Sequence, residues 1–484
     1  MTNHTLLRSS RARAKSAVAA AAPSGGRQRG SFGSRFEKQS RPWEKARCGF
    51  APGPGGGARR ALLVCLAGLG GLALPCLEGA NVQTWFTYDS SVTRRSGHAI
   101  RLKAELNYND SLTNAPLAVI MHGYSASSDV ASVRPNAQRL RDAGFFAIAP
   151  TLRGREGSEG TRDSGGVEIY DIYDAVEAVK AAYPRQVNPA NVHITGYSGG
   201  GGNTLSALTK FPDYFCLGSA FFGISDYGLD PVHGWYHNGA NRGGARTPQL
   251  DTDIGNPNTG DALVLDRYRA RASNLAAKNN PYSEIHLFVN QDERICPPVN
   301  FLSYWSNAVA GQSFPGEFTN LTVHLGAPGV YHDFNGNGRE DAGELQFWPH
   351  GNLSASQQAA AEAWYLTRLK SGRIPQPKLN HHDELYVAGW VKTRPFELWL
   401  GDGQNAAATL VYSLSGARKQ FTLSLLSSVK SVTGRLKVDT CDMSGQVVEV
   451  RTNGVQADTF VGGGVYTWEA LGDGQTIVLS ASSR

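Results

Sequence analysis

From residue 99 onward, short apolar runs alternate with runs of helical periodicity, and this alternation restricts the fold more than any other feature of the chain. "APLAVIMHGY", "FFAIAPTL", "NVHITGY", "FCLGSAFFG", "EIHLFVN" and "LTVHLGAP" read as buried strands. "VRPNAQRLRDAG", "GVEIYDIYDAVEAVKAAYP", "NTLSALTKF" and "PPVNFLSYWSNAVAG" lie between them with helical spacing, and "SASQQAAAEAWYLTRLKSG" adds a later helix. Strands that are apolar along their whole length have no face to give to water, so helices must cover both sides of a mainly parallel sheet. Residues 225–282, rich in Gly, Asn, Asp and aromatics, interrupt the rhythm and read as an inserted lid or binding loop. Past "RIPQPKLNHHDE" the style changes to short runs such as "ELWLG", "ATLVYSL" and "QTIVLSA", separated by turn residues. This is an all-β pattern. The expected organisation is an α/β domain over 81–375, a linker over 376–384 and a β-sandwich-like domain over 385–484.

The N-terminal part has a different character. Residues 1–60 hold 13 of the 47 Lys and Arg and 2 of the 41 Asp and Glu, with few apolar anchors, and read as a basic disordered leader. In the next 20 residues, "ALLVCLAGLGGLALPCLEGA", the one charge is Glu78. Two arginines before an apolar run, with small residues after it, resemble a secretory signal. The run is short for a membrane anchor, which needs ~20 apolar residues. A secreted or periplasmic location is expected, with no stable membrane span in the mature chain. Residues 81–484 then carry more acidic than basic residues, which argues against nucleic acid as a partner. Of six cysteines, Cys216, Cys296 and Cys441 follow the signal. They permit at most one disulfide, with Cys216 and Cys296 sharing a domain.

The chemistry centres on "NVHITGYSGGGGNTL", where Ser198 stands among five glycines. Gly196-Tyr197-Ser198-Gly199-Gly200 fits G-x-S-x-G between a strand and a helix, the context a nucleophile elbow requires. The turn holds the serine in a strained conformation, and the helix N-terminus directs free N–H groups at a developing oxyanion. "VIMHGY" ends an earlier strand and offers the N–H of Tyr124 as a second oxyanion donor beside that of Gly199, with His122 structural. "NQDERICPP" places Asp292 after a late strand, with Asp226 as the alternative acid, and "GVYHDF" places His332 after the next. The order Ser198, Asp292, His332 is nucleophile, acid, base.

"GYSGGG", "NQDERICPP", "VYHDF" and "APTLRGREGSEG" resemble signatures of the prolyl-oligopeptidase-like and dienelactone-hydrolase-like branch of the α/β-hydrolases. The likeness runs over roughly residues 99–372 in strand order. It implies an α/β-hydrolase fold, with Ser198, Asp292 and His332 as triad and Tyr124 and Gly199 as main-chain oxyanion donors. True prolyl oligopeptidases carry a propeller before the hydrolase domain, and the short stretch between the signal and the first strands here shifts the expectation toward esters. An exported serine hydrolase acting on a small or polymeric carboxylic ester is the leading expectation. A serine peptidase and a non-catalytic polysaccharide-binding protein are the alternatives.

A second motif follows the histidine. "DFNGNGREDAGE" fits D-x-[DN]-x-[DN]-G-x5-E, a calcium loop. Asp333, Asn335 and Asn337 would supply side-chain oxygens, Arg339 its carbonyl, Asp341 the water-mediated position and Glu344 a bidentate carboxylate. Structural calcium is therefore expected, while the chemical steps need no cofactor. Trp390, Trp399 and Trp468 in the β-domain read as core, with sugar stacking as the other use of such rings. Tyr227, Trp235 and Tyr236 in the insert are candidates for lining an acyl or alcohol pocket.

Overall fold

The computed structural model describes residues 79–482, apart from 125–128, 238–246, 281, 291, 292, 294, 311–320, 327–362, 364–365, 369–373 and 429. The leader and the apolar segment 61–80, all but its last two residues, lie outside the described residues. An antiparallel hairpin, β1 (Asn81–Arg95) and β2 (His98–Asn109), opens the fold. Then come β3 (Ala115–Met121), α1 (Val130–Asp142), β4 (Phe146–Pro150), α2 (Glu168–Ala182), β5 (Val187–Tyr197), α3 (Gly199–Lys210) and β6 (Leu217–Phe221). After the insert, which contains α4 (Thr247–Asp253) and α5 (Ala262–Arg269), the chain continues through β7 (Glu284–Asn290), α6 (Pro298–Ala310) and β8 (Leu321–Gly326). The strand order is β1-β2-β4-β3-β5-β6-β7-β8. β3 to β8 pair in parallel, and β1 and β2 form an antiparallel edge. This is an α/β-hydrolase fold.

The apolar runs account for the layering. Every residue of β4 and β6 is buried, as strands covered on both faces must be. The hairpin β1–β2 was not read as strands from the sequence. β1 alternates exposed residues with half-buried or buried ones at the sheet's edge, and its outward positions are polar or charged apart from Trp85.

The β-domain packs two antiparallel sheets face to face. The first, in the order β10-β11-β14-β17, contains β10 (Trp390–Lys392), β11 (Phe396–Leu400), β14 (Gly434–Asp439) and β17 (Val465–Leu471). The second, in the order β16-β15-β18-β13-β12-β9, contains β9 (His382–Ala388), β12 (Ala407–Leu414), β13 (Arg418–Leu425), β15 (Val447–Thr452), β16 (Val455–Val461) and β18 (Thr476–Ala481). Leu398, Leu436, Leu423 and Leu479 from the two sheets share one core. The first strand begins at His382, within the stretch expected to be linker.

Trp390 and Trp399 do not face solvent. They stack on each other at 5.4 Å, and both rings reach Tyr170 of α2, so they belong to the core of the α/β domain. Lys210 at the end of α3 lies over the Trp390 ring at 4.7 Å and donates to the carbonyls of Ala270 and Ala388. Sugar stacking is closed to both tryptophans. Trp468 is half-buried against the β-domain core.

Candidate active site

β5 ends at Tyr197 and α3 begins at Gly199, leaving Ser198 alone in the turn with φ 57° and ψ −123°. A positive φ costs a β-carbon-bearing residue free energy, so the surroundings must enforce it. Two main-chain bonds do so. The Ser198 N–H donates to the Phe221 carbonyl at 3.0 Å, and the Ser198 carbonyl accepts from Gly202 N–H at 3.0 Å. Ser198 occupies the N-cap position of α3 without a side-chain capping bond, so its hydroxyl is not turned onto the helix amides.

The glycines after the serine allow a close main-chain approach. A β-carbon on Gly200 would lie 2.2 Å from the Met121 carbonyl oxygen at the end of β3. One on Gly199 would lie 2.4 Å from the Tyr124 ring and 2.7 Å from the Tyr124 nitrogen. The first turn of α3 is therefore pressed against the loop that leaves β3, which brings Ser198, Gly199 and Tyr124 together. Among the described residues, neither the Tyr124 N–H nor the Gly199 N–H has an acceptor. Two unspent donors beside a strained serine can receive an oxyanion.

Asp292 and His332 lie outside the described residues, as does the calcium motif with Asp333, Asn335, Asn337, Arg339, Asp341 and Glu344. The strands that precede the two triad candidates are described. β7 pairs with β6 and β8 with β7, in parallel register from Leu217↔Glu284 to Asn290↔Gly326, so both strands leave the sheet at the edge where Ser198 sits. Glu293 is buried, and its Oε1 accepts from the N–H groups of Ile295 at 2.7 Å and Cys296 at 3.1 Å. That carboxylate shapes the turn into α6.

The alternative acid is already engaged. Asp226 accepts from the N–H groups of Gly228, Leu229 and Asp230 at 2.8, 2.8 and 3.0 Å, which fixes the start of the insert. His122 is buried, and its Nδ1 is bonded to the Gly123 carbonyl at 2.9 Å. Burial lowers its pKa. Of the pocket candidates in the insert, Trp235 donates Nε1–H to the Ile295 carbonyl at 2.8 Å and Tyr236 donates to Asp251 at 2.9 Å. Both are buried, and so is Tyr227.

Two residues at this site were not singled out from the sequence. The Tyr124 hydroxyl lies in a buried cluster with Glu168 Oε1 at 2.9 Å, Tyr227 Oη at 2.7 Å and Asn203. Burial first, then nearby Asp163, pushes the Glu168 carboxyl up to about 7. The available signal was an acid at the head of a mainly apolar helix, in "GVEIY".

Residues 131–243 match the family model of the prolyl oligopeptidase family. That segment contains Ser198 and Gly199 and begins after Tyr124. No curated protein matches the chain. Among solved structures, Pyrococcus horikoshii acylaminoacyl peptidase is similar with a TM-score of 0.43 and 17% identity, over 63% of this chain and 44% of that one. Oligopeptidase B from Leishmania major is similar with a TM-score of 0.42 and 13% identity, over 60% of this chain and 37% of that one. A Pyrococcus furiosus esterase has a TM-score of 0.39 and 12% identity, over 60% of this chain and 93% of that one. The chain thus spans less than half the length of the two peptidases.

The close approach at the turn makes a prediction that needs no substrate. Gly200→Ala pushes a methyl into the Met121 carbonyl and is expected to cost about 1–3 kcal/mol or more. Gly416→Ala adds a carbon that meets nothing within 4 Å and is expected to be near neutral. Urea denaturation of both variants beside the parent checks the contrast. Equal stabilities would contradict the packing.

Proposed function

We propose, from an elbow segment that matches the prolyl oligopeptidase family, that the chain is a serine hydrolase that cleaves carboxylic esters. The observation that carries this reading is the strained Ser198, with the unspent N–H groups of Tyr124 and Gly199 beside it. In the proposed mechanism His332 removes the Ser198 proton as Oγ attacks the ester carbonyl, and Asp292 orients and stabilises the imidazolium. The two N–H groups receive the oxyanion. The C–O bond to the alcohol breaks, and His332 returns the proton to the departing oxygen. Water, deprotonated by His332, then attacks the acyl-enzyme, releases the acid and restores Ser198.

A peptidase using the same residues is the second reading, favoured by the family match over 131–243. An amide asks more of the same machinery than an ester does, because the amine must be protonated as it leaves. Purified chain is therefore assayed with a short-chain p-nitrophenyl ester and with aminoacyl p-nitroanilides, each beside Ser198→Ala. Ester turnover that falls about 10³-fold or more in the variant is expected. Anilide turnover exceeding ester turnover transfers the proposal to the peptidase. Equal rates in parent and variant reject both readings.

Export to a secreted or periplasmic location, resting on segment 61–80, is part of the same proposal. So is structural calcium. Asp333, Asn335, Asn337, Asp341, Glu344 and the Arg339 carbonyl would supply only oxygen donors, which suit a hard cation, and the motif starts at the residue after His332 in the sequence. Excess EDTA is expected to lower both Tm and ester turnover, with recovery on adding calcium but not magnesium. Unchanged Tm and turnover would reject the calcium site.

A further inference from the structure

We infer that Glu168 is a positioning residue of the oxyanion hole, acting through the Tyr124 hydroxyl to hold the Tyr124 N–H opposite Gly199. The inference rests on the serine-hydrolase reading and adds to it a residue whose hydrogen bonds run to Tyr124 and Gly165.

The reasoning starts from what the Tyr124 peptide lacks. β3 ends at Met121, so Tyr124 lies beyond the sheet ladder, on a loop. An oxyanion donor must be held to within about 0.5 Å of its productive position. Here the side chain supplies the hold that the backbone does not. The ring lies against the Cα of Gly199, where a β-carbon would meet it at 2.4 Å. The hydroxyl is surrounded by groups from three separate elements. Glu168 comes from α2, Asn203 from α3 and Tyr227 from the segment after β6. A tyrosine held at one end by its ring and at the other by three anchors has no freedom to swing its peptide.

Glu168 is itself fixed. It is 1% exposed, and its Oε1 accepts from the Gly165 N–H at 2.9 Å as well as from Tyr124. The phenol has a single hydrogen, and the Glu168 Oε1 at 2.9 Å and the Asn203 side-chain oxygen both lie in place to accept it. The hydroxyl is thereby committed to the interior. It contributes to catalysis by holding its own backbone amide in place, and it does not itself donate to the oxyanion. Tyr227 extends the clamp to the insert, so the start of the insert and the oxyanion donor share one buried cluster.

A purely structural role for this cluster would change stability and leave the balance between ground state and transition state alone. A positioning role lowers kcat at nearly constant KM, because the oxyanion exists only in the transition state. Tyr124→Phe, Glu168→Gln and Glu168→Ala are prepared in the full chain and assayed with a p-nitrophenyl ester. Inhibition by phenylboronic acid, whose serine adduct places an oxygen in the hole, is measured alongside. For Tyr124→Phe and Glu168→Ala, a fall in kcat of about 10- to 100-fold is expected, a fraction of the loss on removing a donor outright. KM should stay within about twofold and the boronate Ki should rise in step with 1/kcat. Glu168→Gln keeps an acceptor for both the Tyr124 and Gly165 donors and is expected to retain most of the parent kcat. Folded Tyr124→Phe with parental kcat and Ki overturns the inference. So does a loss confined to KM. Should Glu168→Ala fail to fold, Tyr124→Phe and Glu168→Gln still decide the matter. Ser198→Ala separates the two levels. If it is inactive while Tyr124→Phe matches the parent, the clamp alone fails. If Ser198→Ala is as active as the parent, the hydrolase reading fails and the clamp goes with it.

Discussion

The site depends on one steric constraint, the contact between the first turn of α3 and the loop leaving β3. Gly199 and Gly200 meet the Tyr124 nitrogen and the Met121 carbonyl at distances that exclude a β-carbon. If the two segments moved apart by the width of a methyl group, the Tyr124 and Gly199 N–H groups would separate, because they come from different elements. The strain at Ser198 follows from the same contact. α3 must start immediately after β5 to lie this close, and the intervening residue takes up the turn at φ 57°.

The surrounding structure makes this contact rigid. Buried ion pairs hold the layer next to the site: Arg271 to Asp163 at 2.6 Å and Arg153 to Asp171 at 2.7 Å. Such pairs offset their own desolvation only with good geometry, and here they fix relative position more than they add net stability. Arg271 also donates to the Gln404 carbonyl and side chain, and Lys210 to the Ala388 carbonyl, so residues of the β-domain complete the hydrogen bonding of the α/β domain's interior. With Trp390 and Trp399 in the same core, the β-domain is a packed part of the α/β domain's scaffold.

Much of this was legible in the sequence, for identifiable reasons. Strands β3 to β8 were legible as predominantly apolar runs, the pattern of strands covered on both faces. The elbow was legible because strand, turn and helix are consecutive in the chain, so its local chemistry is also its structure. The hairpin β1–β2 was missed because an edge strand half in water lacks that uniform apolar signal. The clamp on Tyr124 could not be read from the sequence. Glu168, Asn203 and Tyr227 lie 44, 79 and 103 residues from it, and only the packing of three elements brings them together. Asp226 shows the converse. Its carboxylate is consumed by amides two to four residues ahead, a local turn that a reading focused on triad order set aside. Trp390 and Trp399 read as core from the sequence, and the structure places them in a core that spans both domains.

The most direct test of the central claim, that Ser198 is an activated nucleophile, is covalent labelling of the folded chain with a fluorophosphonate, followed by intact mass measurement and peptide mapping. The account predicts a single adduct on the peptide carrying Ser198, formed by the native chain and not by the urea-unfolded chain. A native chain that gains no adduct, or gains one at another residue, would contradict it.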